Sequence, residues 1–560
     1  MAALASVSRS SRIAAIAFVC LCSPSASAQR LIGTVSDSIS HQPLAGAVLV
    51  LLDSAANPLV RRISDQRGYF SMMADARANS MRIVRIGYLP IVLRLKDVRS
   101  LDRIDLQMTP VGTLLELVTI ASDPRCPRKG DAAATFSLLE QARAGLLAAV
   151  VARDENPADM VRLLFVRRME GTGEKIESQD VRIDSATQRK ESYRAARTGA
   201  EYVRLGFTQD SSQLFHGPDA DVLLDDGFLA GYCIRMVAAG AGRPNQVGLG
   251  FTPNSRRRGR VDVDGTLWID TANRALRDIE FRYLGLDPTL DVVRPGGRVS
   301  FHEMPNGVVF IDRWFIRLAD ARDDSVFGKT TTIHRTYFAR EVGGEVASAK
   351  WPGGDSWDDS LGTFRGKAVD HNGNPVARLT IGLERTDYRA TTDSSGHLEI
   401  GRLLPGPYTV VLLDSTLAPL GITLRTELSI VAERGRVLDR VIPVRSFREY
   451  ITSQCRSVSG AVGLEGVSAP IIGRITNEAG KGVEGVSVRL SIQNYDGSWV
   501  VLSDNGVTGS DGVFQYCGPV PRRAPMRLRL QKGRQPEKIV EFELAGPGTL
   551  TLVPVTFKDF

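Results

Sequence analysis

Histidine and cysteine are scarce in this chain, six of each among 560 residues. The histidines are His41, His216, His302, His334, His371 and His397. None begins a His-x-x-Glu or His-Glu-x-x-His pair, and no Cys-x-x-Cys occurs, so zinc-ligand spacing is missing. A strong charge of one sign is missing too. The 70 basic and 63 acidic residues leave a net +7, which gives no ground for a nucleic-acid partner. Beyond the N-terminus no apolar run approaches the roughly 20 residues that a membrane-spanning helix needs. What remains is a globular composition, 43% apolar and 24% charged, in a chain long enough for several cores.

The N-terminus sets the expected compartment. Arg9 and Arg12 precede a short apolar run, Ile13 to Cys22, and small residues follow at Ala26 and Ala28. This order predicts a signal peptide over 1–28, cleaved before Gln29. Cleavage removes two arginines, so the mature charge becomes +7 − 2 = +5. Export is expected, to the periplasm, the outer-membrane surface or outside the cell, with no transmembrane helix after cleavage. Loss of Cys20 and Cys22 leaves Cys126, Cys233, Cys455 and Cys517. An even count in an oxidising compartment points to disulfides, and four cysteines allow three connectivities. Cys126–Cys233 with Cys455–Cys517 keeps each pair within or at the edge of one expected domain.

A phrase occurs three times: "GTVSDSISHQPLAGAVLVLL" from Gly33, "GKAVDHNGNPVARLTIGLE" from Gly366, and "GRITNEAGKGVEGVSVRL" from Gly473. Each reads as a period-two strand, a polar turn and a β-branched strand. A second signal follows each copy: "SDQRGYFSM", "TDSSGHLEI" and "TGSDGVFQY". Gly68, Gly396 and Gly512 occupy the same place in it, which predicts a tight turn through a left-handed glycine. Further strands are expected in 85–95 and 403–413. Such runs of short strands predict antiparallel β-sandwiches.

The repeated residues resemble the carboxypeptidase regulatory-like domain, a prealbumin-like Greek-key β-sandwich. The first copy matches its pattern at Gly33, Val35, Gly46, Val48, Asp65, Gly68, Tyr69 and Phe70. The second matches at Gly366, Asp393, Gly396, Gly406, Tyr408 and Val410, and the third at Gly473, Gly485, Val488, Asp511, Gly512 and Phe514. The third departs after Tyr516, where the Gly-x-Tyr step is missing. The resemblance covers roughly half the chain. It does not imply peptidase activity, because the zinc peptidase domain that accompanies this module in carboxypeptidases has no counterpart here. Residues 101–122 also resemble the segment after this module in TonB-dependent outer-membrane receptors, but the chain is too short for their plug and barrel.

Residues 123–350 do not repeat the phrase. Phe136, Leu139, Ala142, Leu146, Leu147 and Val150 recur at helical spacing, which predicts an amphipathic helix. Hairpins are then expected about Gly171–Gly173, Thr271–Arg274 and Pro305–Gly307, with a last strand over Lys329–Val342. One helix and consecutive hairpins predict an α+β domain with a curved antiparallel sheet. This order resembles the half-barrel of periplasmic lipoprotein carriers and, more closely, exported bacterial proteins that pair such a region with a regulatory-like unit.

The expected fold class is thus mainly β and multidomain, three prealbumin-like Greek-key sandwiches around an α+β middle domain. The expected boundaries are 29–122, 123–350, a linker at 351–361, 362–446, a linker at 447–469, and 470–560. Motifs with chemical meaning are few. Asp219, Asp221, Asp225 and Asp226 cluster but lack calcium-loop spacing and read as the polar edge of a buried strand. "GGDSWDDS", from Gly353, lacks the strand–turn–helix setting of a serine nucleophile and reads as linker. Arg256, Arg257 and Arg258 form a basic run suited to phosphates of lipid or polysaccharide, or to plain solvation. Trp268, Trp314 and Trp351 are candidates for sugar stacking or for core packing. No catalytic residue, metal site or cofactor is expected. The reading is a non-enzymatic binding or assembly protein of the bacterial envelope. Its expected partner is an envelope protein, a glycan or a lipid. Carbohydrate enters through the fold-level association of prealbumin-like sandwiches with sugar-active proteins. The alternatives are a lipid or lipoprotein carrier with a middle-domain cavity, and a hydrolase whose site the sequence does not display.

Overall fold

The structure is a computed structural model. It describes residues 30–98, 103–111, 132–170, 173, 175–190, 193, 195–209, 214–255, 259–326, 332–413, 424–445, 471–516, 525–533, 535–544 and 551–557. The chain divides into two compact units: Met1–Gly112 with Met304–Val308, and Thr113–Glu303 with Val309–Phe560.

The first unit is a β-sandwich. Its strands are β1 (Arg30–Asp37), β2 (Val48–Leu52), β3 (Pro58–Ile63), β4 (Tyr69–Met73), β5 (Ser80–Val84), β6 (Ile91–Arg94) and β7 (Ile104–Met108), with one helical turn, α1 (Leu95–Val98), after β6. One sheet runs β4-β1-β7 and the other β3-β2-β5-β6. The alternation in β1 sends Leu31 and Val35 inward, where they meet Leu49, Phe70, Ile83 and Leu106; sheet pleating requires such alternation.

The second unit opens with a helix, α2 (Ala132–Glu155). The sheet that follows takes β8 (Asp159–Glu170), β9 (Lys175–Thr187), β12 (Tyr232–Ala238), β13 (Gln246–Pro253), β14 (Asp262–Asp270), β15 (Ala275–Leu284), β16 (Gly296–Glu303), β17 (Val309–Val326), β18 (Thr332–Lys350) and β19 (Ser356–Asp358). A two-residue pair, β10 (Thr208–Gln209) with β11 (Leu214–Phe215), stands apart. The sheet order is β12-β13-β14-β15-β16-β17-β18-β8-β9, and β19 pairs with β18. The hairpin turns fall where the sequence placed them. Gly173 and Gly307 have positive φ, and so does Arg274.

Helix α2 differs from its expected amphipathic form. Phe136 is exposed, and from Ala144 onward nearly every residue is buried. The apolar content is high because α2 packs against β12, β13, β15 and β17 on one side and against α4 (Ala220–Leu224) on another. Contrary to the sequence reading that no run beyond the N-terminus approaches membrane-spanning length, Thr135–Glu155 would by length and composition suffice to cross a membrane; here about two thirds of its apolar window, 67%, is buried in the protein.

The aspartate cluster is not the edge of a strand. Asp219 caps α4, accepting from Val222 N, and Asp225 caps α5 (Asp226–Ala230), accepting from Phe228 N. Short polar side chains are favoured there because they accept from unpaired N–H groups of the first turn. Asp221 pairs with Arg153 at 2.7 Å and Asp226 with Arg143 at 3.2 Å. Both arginines belong to α2, so the cluster fastens that helix. A third short helix, α3 (Gly199–Leu205), opens with a Thr198–Glu201 capping box.

Two further sandwiches complete the second unit. The first has β20 (Gly362–Val369), β21 (Thr380–Leu383), β22 (Arg389–Thr391), β23 (His397–Leu403), β24 (Gly406–Leu412), β25 (Leu424–Ala432) and β26 (Val437–Pro443). The last has β27 (Ile471–Thr476), β28 (Ser487–Gln493), β29 (Trp499–Val507), β30 (Val513–Tyr516), β31 (Pro525–Gln531), β32 (Lys538–Glu543) and β33 (Thr551–Thr556). Their sheets run β23-β20-β26 with β22-β21-β24-β25, and β30-β27-β33 with β29-β28-β31-β32. This is the strand order of the first sandwich. In each, the first strand pairs in parallel with the last: β1 with β7, β20 with β26, β27 with β33.

One turn explains why the phrase recurs. Gly68, Gly396 and Gly512 have φ of 68°, 77° and 72°. The aspartate before each turn folds its carboxylate back: Asp65 accepts from Tyr69 N, Asp393 from His397 N and Asp511 from Val513 N. One residue before Asp65 and Asp393, Ser64 and Thr392 each close a buried bridge, and Thr508 does so in the third copy. Each hydroxyl donates to one carbonyl (Leu44, Val376, Val483) and accepts from one amide (Ala47, Leu379, Val486). Those groups lie just before the second strand, where no sheet partner satisfies them.

Candidate functional site

The expected ligand contacts are not gathered into one place. Arg256, Arg257 and Arg258 lie outside the described residues, as do Cys126, Cys455 and Cys517; Cys233 is buried on β12. Trp268 on β14 is buried, its Nε1 donates to Glu280 at 3.1 Å, and Arg243 lies 4.5 Å over its ring. Trp314 on β17 packs on Tyr193 at 5.1 Å. Strands β15 and β16 separate the two tryptophans. Beside Trp314 is a cavity of about 20 Å³, also lined by Met160, Arg162, Tyr193 and Asp312, room for about one water molecule.

Within the stretch expected as a linker, 351–361, Ser356–Asp358 form β19 and pair with β18. Trp351 is buried against Phe310 at 5.4 Å, and Trp357, on β19, packs on Phe310 and His302. Pro352, Gly353 and Gly354 form its turn, closed by the Trp351 amide donating to the Asp355 carbonyl, while the tryptophans on either side anchor it.

A polar ladder runs across the other end of the sheet. Arg317 on β17, Glu341 on β18, Arg167 on β8 and Gln179 on β9 are consecutive register partners. Arg317 donates to Glu341 at 2.6 Å, and Arg167 Nε donates to Gln179 Oε1 at 3.0 Å. Gln179 Nε2 donates to the Pro405 carbonyl of the second sandwich at 3.2 Å. The next rung on this face is Phe315–Gly343–Phe165–Val181. Gly343 is required there: a Cβ would come within 2.4 Å of both the Phe165 ring and the Trp314 carbonyl. Val181 at the end of the rung forms a parallel bridge to Thr386.

The rung after that carries Glu345, opposite Arg313 and Leu163. Glu345 accepts from Arg434 of the second sandwich, and Arg434 also donates to Asp359. Arg385 pairs with Asp180 at 2.6 Å, and Asp387 accepts from Ile183 N at 2.9 Å. Apolar contact is continuous beneath these bonds: Leu163, Phe165, Val181 and Ala347 of the sheet share one core with Phe364, Ile381, Tyr388 and Tyr408. The seam is therefore a domain core crossed by balanced charge. Burial holds the Arg167 guanidinium below its ordinary range, against the pull of Glu345 and Glu341. Burial also lifts the Tyr388 and Tyr408 hydroxyls well above theirs. For Arg434, burial acts downward but Glu345 and Asp359 prevail, so its pKa is raised.

Among the described residues, the outer face of the docked sandwich's three-stranded sheet is exposed. Along β20 and β23, Phe364, Leu398 and Ile400 point inward, so Arg365, Lys367, His397 and Glu399 face out. With Asp439 and Arg440 of β26 they line a cleft of about 710 Å³. Arg365 pairs with Glu399 at 2.8 Å, which organises the middle of the cleft. Its chemistry is that of paired charges and hydrogen-bond donors. Among the described residues no cluster of His, Cys, Asp and Glu is placed to hold a metal ion.

No protein-family model and no curated protein matches the chain. Among solved structures, it is similar to the dioxygenase domain of a dioxygenase–carbohydrate-binding protein fusion from the cellulolytic bacterium Streptomyces sp. SirexAA-E. The identity is 18%, over 18% of this chain and 85% of that one, with a TM-score of 0.16. It is similar to the Bacillus anthracis TIE protein at 13% identity, over 63% of this chain and 64% of that one, with a TM-score of 0.14. The shaft pilin SpaA from Lactobacillus rhamnosus GG follows at 8% identity, over 36% and 98%, with a TM-score of 0.13. At TM-scores this low the likenesses carry no functional inference.

Proposed function

We propose that this is a non-enzymatic, exported binding or assembly protein of the bacterial envelope, and that its ligand is a polar glycan bound on the open face of the second sandwich. The observation that carries the reading is the combination of a fixed base and a free face. The second sandwich shares a core with the middle sheet, yet its three-stranded sheet presents a charged cleft. A preorganised polar surface of this kind loses little freedom on binding. Guanidinium, ammonium and carboxylate groups suit the hydroxyls and acidic substituents of a glycan better than an acyl chain. The carrier reading requires a hollow middle domain; α2 packs on the sheet and the cavity at Trp314 is water-sized, so that reading gains no support here. The shared strand order of the three sandwiches supports the resemblance to carboxypeptidase regulatory-like domains.

Export with cleavage before Gln29, and the pairs Cys126–Cys233 and Cys455–Cys517, belong to the same proposal. N-terminal sequencing and non-reducing peptide mapping of protein from the native host test them. The ligand is tested on an array of bacterial envelope glycans with the mature protein and an Arg365→Ala/Lys367→Ala variant. Binding that the variant loses is expected. Absence of glycan binding, binding indifferent to the variant, or turnover of the bound glycan would refute the reading.

A further inference from the structure

The small cavity beside Trp314 lies where two irregularities of the middle sheet meet. On β17, Arg313 pairs with Ser300 and Ile311 with Phe301, so Asp312 is an extra residue. On β18, Val346 pairs with Arg162 and Ser348 with Val161, so Ala347 is extra against β8. Bulges of this kind re-aim side chains and interrupt a ladder. Asp312, Val346 and Arg162 all line the cavity, with Trp314, Gly344 and Tyr193. Gly344 leaves room there, since a Cβ on it would lie 2.9 Å from Trp314 Nε1. Two polar atoms of this lining are unsatisfied. Asp312 and Arg162 are only 5% and 7% exposed. Asp312 Oδ2 accepts from Arg313 Nε at 3.1 Å, and the two Nη atoms of Arg162 donate to Asp184 and to the Lys190 carbonyl. Asp312 Oδ1 and Arg162 Nε have no hydrogen-bond partner among the described residues. Buried polar atoms are seldom left in that state.

We propose that this cavity is a binding site for one water molecule, which accepts from Arg162 Nε and donates to Asp312 Oδ1. Size, charge and hydrogen-bonding capacity select this occupant. The cavity of about 20 Å³ holds about one water. Each charge in its lining already has a counter-charge: Arg313 for Asp312, Asp184 for Arg162 and Arg434 for Glu345. An added ion would find none open, and an uncompensated buried charge is costly. The unsatisfied atoms are one donor and one acceptor, so a small neutral molecule that both accepts and donates satisfies the two together. The water thereby ties β8 to β17 across β18, at the place where the bulges interrupt direct pairing. Arg162 alternates with Leu163, whose side chain belongs to the core shared with the second sandwich, so the site lies on the opposite face of the sheet from that seam. It requires nothing of the cleft on the second sandwich.

A crystal structure of the mature protein with its ordered waters, joined to water magnetic relaxation dispersion in solution, tests the proposal. The expected result is one water within hydrogen-bond distance of both Asp312 Oδ1 and Arg162 Nε. Asp312→Asn keeps an oxygen acceptor and is expected to retain the water. Asp312→Val removes the acceptor, and the number of long-lived waters in solution should fall by one. The crystal structure of the unmodified protein decides the matter even if the valine variant does not fold. An empty cavity, a direct Arg162–Asp312 hydrogen bond, or an unchanged number of long-lived waters in folded Asp312→Val would each overturn it. So would a metal cation in the cavity, revealed by a melting temperature that depends on which of sodium, potassium or calcium is supplied.

Discussion

Gln179 and Pro405 lie 226 residues apart in the chain and are joined by a hydrogen bond of 3.2 Å, the Gln179 amide donating to the Pro405 carbonyl. The same glutamine accepts from Arg167. One side chain thus ends the polar ladder of the middle sheet and begins the second sandwich.

Glu345 is the charge whose loss should hurt most. It receives Arg434 and lies 3.9 Å from Arg167, both of them largely buried. Replacing it by alanine leaves Arg434 with Asp359 and Arg167 with Gln179 but removes the carboxylate that both guanidinium groups face, and breaking a buried pair costs about 3 kcal/mol or more. Glu345→Ala is expected to lower the melting temperature and to separate the unfolding of the second sandwich from that of the sheet in calorimetry. The exposed pair Arg365–Glu399 serves as contrast, because Glu399→Ala should cost about 0–1 kcal/mol.

The hydroxyl bridge should be felt in every copy where it occurs. Thr392→Val keeps shape but leaves the Val376 carbonyl and the Leu379 amide without their partner. A loss of about 1–3 kcal/mol is expected in chemical denaturation. Thr508→Val should cost a similar amount, through the Val483 carbonyl and the Val486 amide.

Two glycines of one sandwich separate backbone strain from crowding. Gly396 and Gly373 have φ of 77° and 82°, but a Cβ on Gly396 would lie 2.7 Å from the Ala368 carbonyl, while one on Gly373 meets nothing within 4 Å. Gly373→Ala should cost about 1–2 kcal/mol for the left-handed conformation alone. Gly396→Ala should cost measurably more in the same denaturation assay.

Acid should loosen the first sandwich through Asp37. Its carboxylate accepts from the Ser40 and Ile39 amides and from the Tyr88 hydroxyl. The Ser40 amide leads in holding its pKa down at about 2, against the opposing effect of burial. A carboxyl depressed on folding stabilises the fold above its unfolded pKa of about 4, and that contribution is lost as pH falls toward the folded value. Melting temperatures should therefore fall between about pH 4 and about pH 2, and Asp37→Asn should flatten that slope while lowering stability at neutral pH.

The sandwiches were legible because their signals are local. A left-handed glycine, an aspartate that folds back on its turn and period-two strands all act within a few residues. The recurring Ser64, Thr392 and Thr508 stood in the quoted motifs, and their hydroxyls were the unread part of the signal. The seam was not legible. Arg317, Glu341, Arg167 and Gln179 meet only through the register of four strands, and β8 follows β18 in space although it precedes it in sequence. The broken alternation Arg162–Arg168, with Arg162, Leu163, Phe165 and Arg167 all buried, was the available hint that both faces of β8 are covered. The aspartates 219–226 misled for a simpler reason. Their spacing is that of two consecutive helix caps, and an apolar Val222–Leu224 run between carboxylates reads equally well as strand.

The central claim is that the middle sheet and the second sandwich form one cooperative body that holds an open binding face. Native-state hydrogen exchange under increasing denaturant tests it most directly. The account predicts that protected amides of β8, β9 and β18 and those of β20, β21 and β24 merge into one opening event with one free energy, and that Glu345→Ala divides it. Independent opening of the second sandwich in the unmodified protein, at a free energy well below that of the sheet, would contradict the account.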